Sequence, residues 1–298
     1  MKILTRFTLA ATVFAFAAQS HAQLPVGSHY PIGAEGLNGA NLPPPGFYLR
    51  DYNYFYYADK VDGLPLKMDI FAYVQAPRLV WITPWKILGA NYGCDVIVPF
   101  AYQNISGQLG TAGQFNLADI YACPAVLSWH LKQFDFSTAY GVWAPSGNFD
   151  AGTPSAPLRG LDSPGKGYWS HMFTLGGVWH PDAEKTWSLS LLNRYEISTE
   201  QDQTHLTPGN MYSLEWGIGK AVAKGVDVGV VGYYQQETTE DSGKGAATAL
   251  SHVVGIGPEV GVVWEKIGLI STLRYLYEVD AKDRPQGHTV TLTLTKRF

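Results

Sequence analysis

The chain closes on TVTLTLTKRF (Thr289–Phe298), and this stretch decides the fold. Val290, Leu292 and Leu294 share one parity with Phe298, while Thr291, Thr293, Thr295 and Arg297 share the other, which is a strand with one apolar face. The last residues of a soluble domain usually fray, so a terminal aromatic in phase with the apolar side implies an anchored end.

Working outward, the same alternation recurs. From Gly46 onward the sequence resolves into twelve alternating segments separated by Gly, Pro, Asn and Asp. They begin near Phe47, Lys67, Asn91, Asn116, Phe134, Tyr168, Thr186, Met211, Val226, His252, Leu269 and His288. Most run roughly ten residues, the length at which a tilted strand crosses a bilayer. Short links (LKQF, PDAEK, AKG, EKIG) alternate with long ones such as STEQDQTHLTPGN. That asymmetry predicts periplasmic turns on one side and extracellular loops on the other. With this polarity Trp129, Trp179, Trp187, Trp264 and Phe298 fall at the short-turn end, and Tyr102, Trp169, Tyr212 and Tyr234 toward the long-loop end, as two aromatic girdles. The expected fold is all-β, an antiparallel transmembrane barrel of about twelve strands. Fourteen is the alternative, since RLVWITPWKILGAN has room for another turn. A secreted β-sandwich or propeller also alternates, but needs neither ten-residue strands nor paired aromatic ends.

Composition agrees. Charged residues are 15% of the chain against about 25% in an ordinary globular domain, and aromatics reach 13%. Residues 1–22 read as a secretory signal peptide: Lys2 and Arg6 are followed by an apolar core from Phe7 to Ala18 and the small-x-small site Ser20-His21-Ala22. The mature chain is expected to start at Gln23, and N-terminal sequencing that found Met1 would contradict it. Loss of Lys2 and Arg6 moves the formal charge from −4 to −6, which argues against nucleic acid as a partner. Residues 23–45 lack alternation and are dense in Gly and Pro. This leader is either a tail or a plug folded into the lumen of the barrel at 46–298.

Three long stretches, beginning GAEGLNGANLPPPGFYLRDYNYFYYAD, GKGYWSHMFTLGGVWHPDAEK and LRYLYEVDAKDRPQGHTV, resemble the phenol-degradation meta-pathway family of outer-membrane proteins over about residues 33–298. The resemblance implies an outer-membrane channel for small apolar or aromatic compounds, linked to their catabolism. Its partners would be outer-membrane lipid, the solute, and the barrel-assembly machinery docking at Phe298. A non-conducting binding or structural barrel is the alternative. No residue-level binding motif comes with the resemblance.

Candidate residues therefore follow from parity. Asp69, Tyr73, Arg194, Glu196, Glu215, Asp227, Tyr233, Gln235, Glu259, Arg274 and Glu278 are expected to line the lumen. They form either a charge-satisfying network or a constriction that tunes passage. Pro99 and Pro124 fall inside strand segments, where they break a ladder, as β-bulges or as a lateral opening. Cys94 and Cys123 share outward parity on successive segments, which permits a disulfide or leaves two small apolar side chains. Two such thiols exclude a metal site, and no cofactor motif is visible. An enzyme is not expected. His171 is the best candidate base for lipid hydrolysis, but Ser170 points to the opposite face, and EDSGKG lacks the spacing of a phosphate loop.

Overall fold

The computed structural model describes residues 27–63, 67–108, 110–152 and 160–298. The signal-peptide expectation falls outside these residues. Fourteen strand segments form one antiparallel sheet: β1 (Gly46–Val61), β2 (Met68–Ile87), β3 (Ala90–Ile97), β4 (Phe100–Gly107), β5 (Gly110–Leu117), β6 (Ile120–His130), β7 (Phe134–Ala144), β8 (Ser170–Trp179), β9 (Trp187–Ser198), β10 (Met211–Ala223), β11 (Val226–Glu237), β12 (His252–Trp264), β13 (Leu269–Lys282) and β14 (Pro285–Arg297). β1 pairs with β2 on one side and β14 on the other, so the sheet closes on itself.

The count of twelve holds because two strands are each interrupted once. β3 and β4 pair in sequence along the single 20-residue β2, with Ile97 opposite Arg78 and Phe100 opposite Gln75. The break at Val98-Pro99 costs one rung where Pro99 has no N–H to give. β5 and β6 interrupt likewise at Ala118-Asp119. RLVWITPWKILGAN holds no extra strand: β2 runs through it with a register shift between Ile82 and Lys86, then turns at Leu88-Gly89. Both turn residues have positive φ, 52° and 82°, the geometry of a two-residue turn whose twist matches its strands.

At the short-turn rim the Phe298 N–H donates to the Phe47 carbonyl at 3.0 Å, so both ends of the barrel chain meet there. Trp179, Trp187, Trp264 and Phe298 are exposed around this rim, and Tyr102 and Trp169 around the other. At the far rim the described parts of the long connections are residues 145–152 and 160–169, 199–210 and 238–251. The fourth stave begins at Gly110 rather than near Asn116, because the Gly-rich link is a tight hairpin instead of a loop.

Candidate functional site: the lumen and its plug

Residues 27–45 enter the barrel and pack against its wall. The leader buries Tyr30, Ile32, Ala34, Leu37 and Ala40, and wall carboxylates take up its backbone donors. Glu215 accepts from the Gly33 and Glu35 N–H groups at 3.0 and 2.9 Å, and from the Tyr30 hydroxyl at 2.6 Å. Glu259 accepts from the Leu37 N–H at 3.3 Å. Each carboxylate is paired in turn: Arg194 reaches Glu215 at 2.6 Å, and Arg274 reaches Glu259 at 2.6 Å while donating to the Gly33 carbonyl at 2.7 Å. The Arg194 guanidinium also lies 4.0 Å from the Tyr30 ring centroid. Leu37 fills a slot made by Gly217, Gly219 and Gly229, where any added Cβ would press on it.

The opposite side of the plug is held by its own acid. Glu35 pairs with Arg50 at 2.7 Å and Arg78 at 3.4 Å and accepts from the Tyr52 hydroxyl at 2.7 Å. Arg78 also binds Asp95 at 2.8 Å. Higher up, buried His29 bridges Glu196 through Nδ1 and Asp119 through Nε2, both at 3.0 Å, and stacks on Trp143. Ser170 donates to Glu196 at 2.8 Å, which completes a serine–histidine–carboxylate set that strand parity alone did not reveal. Ser170 is 0% exposed, while His29 and Asp119 border a cavity in the lumen. His171 points outward and bonds the Tyr140 hydroxyl.

That cavity, of about 1640 Å³, lies between plug and wall: plug residues His29, Tyr30 and Glu35 and the wall's Arg50, Arg78 and Arg194 border it, and β2 lines it with Met68, Ile70, Ala72, Val74 and Ala76. Lys166 and Arg284 border it near the long-loop rim. Burial pulls the Lys166 ammonium below its usual range, opposed by Glu196 and Asp119.

Two of the lumen assignments are corrected. Asp69 and Tyr73 face outward: Asp69 accepts from the exposed Tyr57 hydroxyl, and Tyr73 stacks on exposed Phe55. The inner face of β2 is itself apolar, so the rule that puts apolar side chains outside inverts there. The other nine face the interior. Asp227 lies near Glu259 toward the short-turn rim, and Glu278 accepts from both Tyr56 and Tyr233 at 2.9 Å. Gln235 sits between Ser213 and Arg284.

The disulfide is also corrected, since both thiols are free. Cys123 is buried toward the cavity and Cys94 faces outward, on opposite sides of the wall. Register shifts at Gly93/Asp95 and Ala122/Ala125 change the phase between their strands. Pro124 marks the second of these bulges. At Pro99 the wall remains bonded, through Val98 N to the Pro77 carbonyl and Ala118 N to the Pro99 carbonyl. The weaker seam lies higher: among the described residues β5 pairs only with β4, and its far edge is covered by Asn148, whose N–H donates to the Leu117 carbonyl at 3.0 Å and whose amide reaches Gln114.

The residues that sequence reasoning missed are His29, Glu35, Arg50, Arg78, Asp95 and Asp119. Arg50 and Arg78 did carry a signal: each is an arginine within a strand otherwise rich in aromatics or apolar residues.

A closed twelve-stave barrel with apolar side chains exposed around its outer wall and an internal plug has the fold of an outer-membrane β-barrel. The chain belongs to the family described as "Putative MetA-pathway of phenol degradation", whose model matches residues 54–294. No curated protein matches it in sequence. Among solved structures it is similar to an outer-membrane channel from Pseudomonas putida F1, at 13% identity and a TM-score of 0.74, covering 91% of this chain and 100% of that one. It is also similar to the β-domain of the Bordetella autotransporter BrkA, at 12% identity and TM-score 0.55 over 86% of this chain and 100% of that one. The translocator domain of NalP from Neisseria meningitidis shares 10% identity and a TM-score of 0.50, over 88% of this chain and 91% of that one. At such identities the likeness is one of fold.

Proposed function

We propose that the protein is an outer-membrane channel for passive uptake of small apolar solutes, aromatic compounds among them, and not an enzyme. The observation that carries this is the division of the lumen. Charges cluster where wall and plug meet, with Arg50, Arg78 and Arg194 bordering the cavity, while β2 presents short apolar side chains to the same cavity, a surface that a hydrated sugar or ion gains nothing from touching. Family membership and the likeness to the Pseudomonas channel support the reading. No energy-coupling motif is visible in the sequence, which supports passive movement.

The lateral opening, one of two readings of Pro99 and Pro124, is better served by the β5 edge, where a loop replaces a strand and Phe115 and Phe100 stack outside. Joining Gln114→Cys to Asn148→Cys across this seam should stop solutes that leave into lipid. Unchanged uptake would leave the lumen as the whole path.

The channel reading is tested by Ala72→Asp, which puts a charge on the inner wall opposite Tyr56, away from the Tyr52 and Arg78 that hold Glu35. Uptake of an alkylphenol into proteoliposomes should fall roughly tenfold, as expected for about 1.4 kcal/mol or more of lost apolar contact and added desolvation. Uptake equal to wild type would mean that solute does not pass along this wall.

A further inference from the structure

Among the described residues four arginines border the lumen cavity, and three of them are paired: Arg50 with Glu35 at 2.7 Å, Arg78 with Asp95 at 2.8 Å and Arg194 with Glu215 at 2.6 Å. The fourth, Arg284, stands in the turn between β13 and β14 at the long-loop rim, and no carboxylate of the described residues is in ion-pair contact with it. Its Nη1 donates to the neutral Gln235 Oε1 at 2.9 Å. Nε is shielded and unbonded, whereas Nη2, also without a hydrogen bond among the described residues, stays accessible. A guanidinium does not shed its charge by deprotonation, so its pull on an anion persists.

A second cation shares this mouth. Lys166, in the connection before β8, borders the same cavity, and the Arg284 charge adds to the burial that pulls its ammonium down. The acids of the cavity are engaged elsewhere. Glu35 takes Arg50 and the Tyr52 hydroxyl, and Asp119 takes His29 and the Gly147 and Lys166 N–H groups. Glu278 takes the Tyr56 and Tyr233 hydroxyls and the Gly287 N–H, and Asp283 lies beside Gly63. Next to Arg284 the wall turns apolar: Pro285 lies opposite Val61 in the β1–β14 ladder, and Val61 packs with Met68 and Ile105. Ile70, Ala72 and Val74 carry that surface along β2.

We propose that Arg284 anchors the head of an anionic amphiphile, a solute with one carboxylate on an apolar aromatic or alkyl body, at the outer mouth of the cavity. The inference rests on the channel reading above and narrows its solute class. The carboxylate accepts from Nη2 while the body lies along Val61, Met68 and the β2 wall. An inorganic anion gains only the head contact and a neutral solute only the body contact, so the amphiphile alone uses both.

The test measures initial uptake of labelled para-butylbenzoate and its neutral counterpart para-butylbenzamide into proteoliposomes at neutral pH, each corrected for leakage into empty liposomes. Wild type should half-saturate at a roughly tenfold lower concentration of the benzoate, as expected for one charged hydrogen bond. Arg284→Gln should remove that preference, and Arg284→Lys should keep part of it. Gln235→Glu makes the same test with the arginine in place: it puts a carboxylate where Nη1 already donates, and this internal counter-ion should also remove the preference. Heat-modifiable gel mobility reports the folding of each variant. A preference that survives Arg284→Gln, or survives Gln235→Glu where the first variant does not fold, overturns the anchor. Wild type that half-saturates equally with both solutes overturns it too and leaves the channel standing. Wild type that takes up neither overturns the channel reading and this inference with it.

Discussion

Gly36→Ala is the smallest change that should loosen the plug. Gly36 sits where an added Cβ would overlap the Glu259 carboxylate and the Arg274 guanidinium, so the plug backbone must back away from that ion pair. Two contacts are lost as it does: the Leu37 N–H to Glu259 at 3.3 Å and Arg274 to the Gly33 carbonyl at 2.7 Å. Hydrogen bonds to charged groups contribute about 1.5–3 kcal/mol each. Because the first contact is long, the pair is taken at about 3 kcal/mol, which raises the fraction of barrels with this segment displaced roughly 100-fold. Single-channel recording in planar bilayers reads that fraction as open time. Asn38→Ala, at an exposed plug position, is the control and should behave as wild type. The reasoning is refuted if Gly36→Ala stays as closed as wild type while deletion of Val26–Leu42 conducts freely. If the deletion also fails to raise conductance, the leader is not what closes the lumen.

Three further outcomes follow from the same contacts. Arg274→Ala strands Glu259 in an interior where the two side chains are 2% and 4% exposed, so resistance to urea should drop by about 3–5 kcal/mol, read by loss of heat-modifiable gel mobility; a change under about 1 kcal/mol would mean that water already reaches the pair. In the turn between β8 and β9, hydrogen bonds from the Thr186 hydroxyl and the Thr186 and Trp187 N–H groups lower the Asp182 carboxyl to about 2. Its stabilisation is thus present above its unfolded value near 3.9 and is lost as the pH falls toward about 2, so wild type should outlast Asp182→Asn at pH 5 and match it near pH 2; a gap that persists there contradicts the assignment. The free thiols predict that the unreduced protein takes up two alkyl groups once unfolded, and a mass showing none would restore the disulfide.

Much of the barrel was written locally. Segments that begin at Phe134, Met211, Val226, His252 and Leu269 start where the strands do, because clean alternation and a short polar turn sit side by side there. Legibility failed where one of those two signals was missing. ISGQLGTAGQ is too rich in Gly to alternate, yet it hairpins within the wall. β2 alternates between two apolar faces, so parity could not say which one met lipid, and that ambiguity was itself the mark of an apolar inner face on this strand. The cysteines were misplaced by bulges, each of which inserts a residue without a compositional trace other than a nearby proline or glycine. Plug contacts such as His29 with Glu196 or Leu37 with Glu259 join residues more than 160 positions apart, and no periodicity encodes them.

The central claim is tested most directly by initial uptake rates of a labelled alkylphenol and a small hydrophilic sugar into proteoliposomes, each corrected for leakage into empty liposomes. The account predicts that the barrel accelerates the alkylphenol and leaves the sugar at background. Equal acceleration of both would make it a general pore, and acceleration of neither would make it a binding or structural barrel.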